Sequence, residues 1–490
     1  MTVTADRAAA GKSGTRASGR GTARAAGDEQ LSRADRVALG KDARAAAPLE
    51  SHAEFAPAGK RDPVGLLLGQ AKSRVPELVP VRHGRMLVSA FTFYRGAALP
   101  MAADLATTPA SGLRVQLCGD AHLSNFGAFA SPERNLVFDV NDFDETLPGP
   151  FEWDVKRLAA SLVVAGRDNG FPAKARRKIV LAAAEAYRTA MREFAQQPLL
   201  QVWYAHLDIE PALAQFRAHM DAKRYKLAEK LLAKAHTQDS MKAVAKLTTV
   251  VDGQRRIVSD PPLIVPIEEV FADVQAEAIY QLLRAVLGKY RRTLQSDRRH
   301  LLGQFTMAQV ARKVVGVGSV GTRAWVVLMD AGDGVEPLFL QAKEAQPSVL
   351  AGYCGRSQYA NQGERVVAGQ HLMQAQSDIF LGWTRVPNPV DGMDRDFYVR
   401  QLRDWKFSAP IEAMIPTGME IYARLCGWTL ARAHARSGDR IALAAYLGGS
   451  AKFDQAIAEF AETYADQNER DYAALKTAVK EGKAEATTEI

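Results

Sequence analysis

The spacing of hydrophobic positions changes along the chain, and each change predicts a different kind of structure. Short apolar runs at residues 113–118 and 136–140 are typical of buried strands, and the loop between them is rich in polar residues. From residue 154 to about residue 302, apolar positions recur mostly at the spacing of amphipathic helices. The first part of the chain therefore predicts two strands followed by a long helical region.

The second half of the chain has a different texture. Four segments are rich in valine, other β-branched residues or aromatic residues: 310–330, 338–345, 380–385 and 397–402. Helical spacing returns between them at residues 363–377, and again from residue 417 to the end. This pattern predicts a β-rich region at about 305–405 with helices on both sides, which is an α+β fold with two lobes.

The same pattern predicts four segments. They are a basic flexible tail with a short helix (1–60), a helical lobe that contains the polar loop (61–302), a β-rich lobe (303–410), and C-terminal helices that complete the large lobe (411–490).

Composition excludes several classes of protein. The 490 residues are 47% hydrophobic and 24% charged, which is ordinary for a globular protein and unlike collagen, a coiled coil or a fully disordered chain. No apolar run approaches the roughly 18 residues that span a bilayer. The three cysteines, Cys118, Cys354 and Cys426, are far apart, which argues against a disulfide framework or a cysteine zinc site and favours a cytoplasmic location.

The charge is concentrated at the N-terminus. The net charge is +8, and residues 1–27 alone contain five basic residues and one acidic residue. This Ala/Gly/Ser/Arg-rich segment has too few apolar residues to fold alone. It could contact nucleic acid weakly, but the rest of the chain gives no reason to expect a nucleic-acid partner.

The polar loop carries the first group of candidate functional residues. In the sequence CGDAHLSN, Asp120 can accept a proton from an attacking hydroxyl group, and the Asn125 amide oxygen can bind Mg²⁺. His122 can orient the loop or pair with a carboxylate. Since Asp and Asn are also common in ordinary turns, the pattern becomes specific only through the strands around it.

Three acidic residues follow the second predicted strand. Asp142 is well placed at the strand end as a second metal ligand, and Asp139 and Asp144 are alternatives in the same turn. Asp154 then opens a helix, where an acid favours the helix dipole or caps the N-terminus.

A glycine-rich turn and a lysine form the second group. Gly316, Gly318, Ser319 and Gly321 precede a β-branched and aromatic segment, so this GxGxxG motif predicts a β-hairpin rather than a dinucleotide-binding helix. Its glycines can let main-chain amides approach phosphates, or can simply make the turn.

Lys343 lies within an apolar strand, where a lysine is costly unless it is paired or reaches the strand edge. A phosphate and a carboxylate would pair it, and Glu364 in the next helix is the candidate partner.

These motifs resemble the protein-kinase-like superfamily, in particular the aminoglycoside- and choline-type kinases. GDAHLSN resembles the catalytic loop, DFD the metal-binding acid, and GVGSVG with QAK the phosphate loop and its lysine. The stretch LCGDAHLSNFGAF…LVFDVNDFDETLPGPFEWDVKRLA also closely resembles the domain of unknown function 2252 family, a resemblance that covers most of residues 60–475.

The resemblance implies a role for each candidate. Asp120 would be the catalytic base, with His122 beside it, and Lys343 would hold the α- and β-phosphates of ATP. The other implied residues bind metal (Asn125 and Asp142, or Asp139 or Asp144), pair the lysine (Glu364), cover the phosphates (Gly316, Gly318, Ser319, Gly321) or form the hinge beside adenine (residues 397–404, including Gln401 and Leu402).

The motif order differs from that of ordinary kinases, because the phosphate loop follows the catalytic loop. This order predicts a circular permutation, in which Lys343 and Asp142 meet across one cleft. The implied function is ATP- and Mg²⁺-dependent phosphoryl transfer to a small hydroxyl-bearing molecule rather than to a protein. Nucleotidyl transfer on the same fold, and a nucleotide-binding pseudoenzyme with a protein partner, are the alternatives.

Overall fold

The computed structural model describes most of the chain, namely residues 31–57, 59–216, 226, 229–230, 232–233, 240–271, 276–314, 316–332, 337–387, 392–402, 405 and 408–487. Of the predicted basic tail and short helix (1–60), residues 1–30 and 58 lie outside the described residues.

Eighteen helices are named here within the described part of the chain. In order they are α1 (Arg33–Ala46), α2 (Pro63–Ala71), α3 (Val79–Met86), α4 (Ala90–Gly96), α5 (Ala98–Leu105), α6 (Phe151–Asp168), α7 (Ala173–Phe194), α8 (Leu199–Tyr204), α9 (Ile209–Phe216), α10 (Ser240–Leu247), α11 (Ile267–Val270), α12 (Ala276–Arg291), α13 (Ser296–Leu302), α14 (Ala351–Cys354), α15 (Gln362–Met373), α16 (Pro416–Ser437), α17 (Arg440–Leu447) and α18 (Lys452–Lys480).

The strands form one large sheet and three hairpin-sized sheets. They are β1 (Arg114–Leu117), β2 (Phe126–Ala130), β3 (Leu136–Val140), β4 (Leu147–Pro150), β5 (Thr248–Val251), β6 (Gln254–Ile257), β7 (Ile264–Pro266), β8 (Thr306–Lys313), β9 (Ala324–Asp330), β10 (Pro337–Ala345), β11 (Gly382–Val386) and β12 (Arg395–Gln401). The large sheet has the order β11-β12-β10-β9-β8-β7, and all its neighbours are antiparallel. The pairs β1–β4, β2–β3 and β5–β6 stand apart from it.

Alternating side chains give the large sheet two apolar faces. Val326, Leu328 and Phe339 pack with residues of α10 on one face, whereas Met329 and Leu338 pack with residues of α12 on the other. This period of two is what a strand covered on both sides requires. The α+β class is therefore confirmed, and five of the six strands of the large sheet lie within residues 306–401.

The helical core is built around close backbone approaches. Helices α7 and α16 pack together, and a Cβ atom at Gly427 would lie 2.2 Å from the Ala183 carbonyl oxygen, so only glycine fits there. The main hydrophobic cluster includes residues of α6, α7, α16 and α18. No helix in the described ranges is long and apolar enough to cross a bilayer.

Two regions differ from the sequence-based prediction. Strand β2 lies within the segment expected to be loop, because the short apolar segment Phe126–Ala130 pairs with β3. The hairpin β5–β6 interrupts the predicted helical region. Asp252 and Gly253 both adopt positive φ at its turn (49° and 75°), as a two-residue hairpin of this type requires.

Candidate active site

The loop after β1 is held by a carboxylate from the first turn of α6. The Asp154 carboxylate accepts hydrogen bonds from the Cys118 and Gly119 main-chain N–H groups, at 2.8 and 3.1 Å. His434 of α16 approaches the same carboxylate at 3.3 Å. Asp154 thus fixes the start of the loop, which is more than the cap or dipole role expected for it.

Asp120 projects from this loop and pairs with Arg157. The Asp120 Oδ1 atom accepts a hydrogen bond of 2.5 Å from the guanidinium, and the carboxylate stays 19% exposed. Burial raises the pKa of Asp120 to about 6; Arg157 opposes this shift and Asp142 adds to it. The second carboxylate oxygen lies 3.8 Å from His122 Nε2.

His122 is an uncharged neighbour of Asp120. Its side chain is buried, and burial, then the charges of Arg95 and Arg157, hold its pKa well below the ordinary value. The neutral ring suits a structural role in the loop.

The hairpin β2–β3 brings the predicted metal ligands to one end. Its register pairs Phe126 with Val140, and the Asn141 N–H donates to the Asn125 carbonyl at 2.8 Å. Asp142 is the next residue and is 30% exposed. The Asn125 side-chain amide donates to the Asp120 carbonyl at 2.8 Å, which leaves the Asn125 amide oxygen as the atom that could face a cation.

The other two acids of this turn have partners of their own. Asp139 is buried and accepts hydrogen bonds from Arg432 (2.5 and 2.6 Å) and from the Ala375 N–H (3.2 Å). Asp144 pairs with Lys343 and accepts a 2.6 Å hydrogen bond from the Tyr398 hydroxyl. Asp142 is therefore the acid of the three that the structure leaves most available.

Lys343 meets these early acids across the structure. Its Nζ atom lies 2.7 Å from Asp144 Oδ2 and 3.8 Å from Asp142 Oδ2, and the lysine side chain is 4% exposed. Although burial opposes the charge, Asp142 and Asp144 raise the pKa of Lys343 above its ordinary value. In the sheet register Lys343 pairs with Tyr398, and Gln341 with Arg400, so these four side chains share one face.

The predicted pairing of Lys343 with Glu364 is wrong. Among the described residues, the ion pairs of Lys343 are with Asp142 and Asp144. Helix α15 reaches that turn one residue later, through Arg365, whose guanidinium donates to the Asp144, Thr146 and Gln346 carbonyl oxygens. The position of helix α15 against the sheet determines which of its side chains reaches this turn, and that position cannot be predicted from the sequence alone.

The glycine-rich segment connects β8 and β9, so the predicted hairpin is present. Gly316 and Gly321 have φ of +69° and +88°, conformations that favour glycine. The neighbouring N-terminal segment anchors the turn: the Arg85 guanidinium donates to the Gly316 carbonyl, and the Val75 N–H donates to the Gly321 carbonyl, both at 2.8 Å.

A cavity of about 820 Å³ lies beside this assembly. Six of the predicted residues contribute to its wall: Asp142, Gly316, Ser319, Lys343, Gln401 and Leu402. Its size falls within the usual range for small-molecule sites. Asp120, His122, Asn125, Gly318, Gly321 and Glu364 are not among its lining residues. Of the predicted hinge, residues 403–404 lie outside the described chain.

Residues 74–478 match the family described as "Uncharacterized protein conserved in bacteria (DUF2252)". The chain belongs to the DUF2252 family. No curated protein and no solved structure shows significant similarity to it.

Several residues of this DUF2252 site escaped the sequence reasoning. Arg157, which pairs with Asp120, lies in the predicted amphipathic helix, and Tyr398, which donates to Asp144, lies in the predicted hinge segment 397–404, but neither pairing is predicted from the sequence. A charged residue on the buried face of a helix was the available signal for Arg157, since such a residue usually needs a partner.

The DUF2252 site offers a carboxylate with a raised pKa, two oxygen-bearing side chains on one hairpin end, and a buried ammonium beside a cavity. The donor set of Asn125 and Asp142 fits Mg²⁺, which commonly takes one or two protein ligands and completes its shell with water and phosphate oxygens. No cluster of three or more His, Cys, Asp or Glu side chains suited to a metal occurs in the described chain.

Proposed function

We propose that this DUF2252 protein transfers the γ-phosphoryl group of ATP to the hydroxyl group of a small molecule. The observation that carries the proposal is the contact of Lys343 with Asp144 and Asp142 at the wall of the 820 Å³ cavity. A buried cation beside oxygen ligands is what a bound triphosphate needs, because its charge must be neutralised on several sides.

The arrangement supports a division of roles. Lys343 would hold the phosphates, and the glycine-rich turn would bring main-chain amides towards them. Gln401 and Leu402, which also line the cavity, would lie beside the adenine. Asn125 and Asp142 would hold Mg²⁺, which when bound neutralises phosphate charge.

Asp120 would act as the base. The acceptor oxygen attacks the γ-phosphorus, a new P–O bond forms, and the bond from the γ-phosphorus to the β,γ-bridging oxygen breaks, so that ADP leaves. The acceptor proton passes to Asp120. A carboxylate with a pKa of about 6 is ionised at neutral pH and still basic enough to take this proton.

The resemblance to a kinase-like fold with a permuted lobe order is part of this proposal. Helix α16, which follows the β-rich region in sequence, returns to the Asp120 loop: the Tyr422 hydroxyl lies 2.9 Å from the Leu123 and Phe126 carbonyl oxygens, and His434 contacts Asp154. These contacts support a large lobe completed by the C-terminal helices.

The test is a search for ATP-dependent mass gain. The full chain is incubated with ATP, Mg²⁺ and pools of hydroxyl-bearing metabolites, and products are identified by mass spectrometry. We expect a phosphoryl adduct that the Asp120→Asn variant does not form. The exposed Asp297, paired with Arg298 at the surface, provides the matched control Asp297→Asn.

Other outcomes contradict the proposal. An adenylyl adduct would mean nucleotidyl transfer, and ATP binding without any adduct would mean a pseudoenzyme. Absence of ATP binding would remove the nucleotide role of the cavity.

A further inference from the structure

Arg95 lies one residue after Tyr94, whose carbonyl accepts a hydrogen bond from Arg157, the partner of the proposed base. It belongs to α4, whose neighbouring residues Phe93 and Tyr94 are buried in the core. Its Nε atom is shielded from solvent and has no hydrogen-bond partner in the described structure. No hydrogen bond or ion pair of this guanidinium occurs among the described residues. A half-buried guanidinium with a shielded and unpartnered Nε atom needs an explanation.

Two buried arginines nearby differ from Arg95 because their guanidinium groups donate to main-chain carbonyls. Arg82 donates to the Gly96 carbonyl at 2.9 Å, and Arg74 donates to the Val320 carbonyl at 2.5 Å. Each of them therefore helps to hold a turn of the chain. Arg74 and Arg82 also have a shielded Nε atom without a partner, so the difference is that no atom of the Arg95 guanidinium has an acceptor among the described residues.

The position of Arg95 is fixed by contacts on two sides. On one side, the preceding residue Tyr94 clamps Arg157: its carbonyl accepts from the Arg157 guanidinium at 3.0 Å, and its hydroxyl donates to the Arg157 carbonyl at 2.8 Å. Arg157 in turn pairs with Asp120. On the other side, a Cβ atom at Gly318 would lie 3.0 Å from the Arg95 carbonyl oxygen. Arg95 thus lies between the base and the glycine-rich turn.

The charges around Arg95 agree with this position. Burial lowers the pKa of Arg95, whereas Glu412 and Asp120 oppose the shift. Glu412 is exposed. Like Asp120, Arg95 is not among the residues that line the 820 Å³ cavity, where the nucleotide would bind.

We propose that Arg95 binds an anionic group of the acceptor, a carboxylate or a phosphate ester, while Asp120 receives the proton of its hydroxyl group. This inference rests on the proposed phosphoryl transfer and narrows its substrate class to hydroxyl-bearing anions. A guanidinium suits both groups because its planar N–H donors match two oxygens at once.

The first experiment measures occupancy of Arg95 without catalysis. The full chain is treated with phenylglyoxal, which modifies arginines, and modification of the Arg95 peptide is followed by mass spectrometry. Three pools are added in turn: hydroxycarboxylates including glycerate, hydroxyl-bearing phosphate esters including glycerol 3-phosphate, and neutral polyols including glycerol. We expect one anionic pool to slow the modification of Arg95 several-fold and the neutral pool to leave it unchanged. Arg177, which is 45% exposed, serves as the internal control.

The second experiment uses the transfer reaction. With the acceptor found in the mass-gain screen, Arg95→Gln should raise the acceptor KM by about 10- to 100-fold, with a smaller change in kcat and in ATP affinity. Arg95→Lys should restore part of the loss, and Arg177→Gln should behave like the parent.

The outcomes separate the two proposals. Transfer to a neutral or cationic acceptor, or an unchanged KM in Arg95→Gln, would overturn the role of Arg95 while leaving phosphoryl transfer intact. Failure of both anionic pools to protect Arg95 would overturn it as well. If an anion protects Arg95 from modification but the protein transfers no phosphoryl group, the phosphoryl-transfer proposal would be rejected and the anion site retained.

Discussion

Lys343 and Asp144 are 199 residues apart in the sequence, and their side chains form an ion pair with 2.7 Å between Nζ and Oδ2. The pair joins a strand of the six-stranded sheet to the turn after β3. Because the lysine is almost fully buried, its charge depends on these acids, and the turn depends on the lysine. Together with the hydrogen bond from the Tyr398 hydroxyl to Asp144, this ion pair ties the six-stranded sheet to the turn after β3.

Removal of one partner of this pair should destabilise the fold. In Lys343→Met, Asp144 loses its cation, and we expect the free energy of unfolding to fall by about 3 kcal/mol. The double variant Lys343→Met, Asp144→Asn should recover part of this loss, since the Asp144 charge is removed together with the ammonium that pairs with it. Urea denaturation of the four chains measures the coupling.

Losses that simply add in the double variant would show that the two side chains do not depend on each other. The exposed pair Arg284 and Glu277 supplies the control, because removal of a surface ion pair changes stability by less than about 1 kcal/mol.

Asp120→Asn tests the base. The amide cannot accept the acceptor proton, so we expect kcat to fall by about 10²- to 10⁴-fold. ATP affinity should stay close to that of the parent, because Asp120 does not line the cavity. Steady-state kinetics and ATP titration measure the two effects, and turnover at the parental rate would show that Asp120 is not the base.

The sequence predicted the parts of the molecule whose signals are local. Strand β3 has its predicted bounds, and β1 and the β8–β9 hairpin lie where apolar alternation and glycines indicated. Local pattern did not reveal β2, because its glycine and alanines are weak strand formers and its strand structure depends on pairing with β3. The Asp252–Gly253 hairpin did carry a local signal, which the surrounding helical spacing obscured.

The residues of the candidate site also divide into those with a local sequence signal and those whose partners depend on tertiary packing. Asp120, Asp142 and Lys343 were identifiable because polar residues at strand ends and a lysine inside a strand are costly without a function or a partner. Which acid pairs with Lys343 was not identifiable, because a helix that slides or rotates by one residue presents a different side chain. In the structure, helix α15 presents Arg365 rather than Glu364 to the turn that holds Asp144.

The pH profile should report the ionisation of Asp120. Its pKa is raised to about 6, chiefly by burial, and the base must be deprotonated. We therefore expect kcat/KM to rise as pH rises through about 6 and to fall about tenfold per unit below it. Since the Arg157 cation lowers this pKa, Arg157→Gln should move the acidic limb to higher pH.

A pH–rate series on the parent, Arg157→Gln and the surface control Asp297→Asn measures these limbs. An acidic limb that stays in place in Arg157→Gln would mean that another group controls the profile.

The three acids after β3 should separate into a metal ligand and a structural residue. Asp139 is buried against Arg432, so Asp139→Asn should lower the free energy of unfolding by about 3–5 kcal/mol because Arg432 loses its carboxylate. In the folded fraction of the Asp139→Asn variant, the Mg²⁺ concentration that gives half-maximal activity should not change. Asp142→Asn should do the reverse, since Asp142 is 30% exposed and follows Asn141, whose main-chain N–H donates to the Asn125 carbonyl: stability stays close to that of the parent, and the Mg²⁺ requirement rises. Denaturation curves and Mg²⁺ titrations of activity on both variants give the comparison, and a higher Mg²⁺ requirement in Asp139→Asn alone would assign the metal to the buried acid instead.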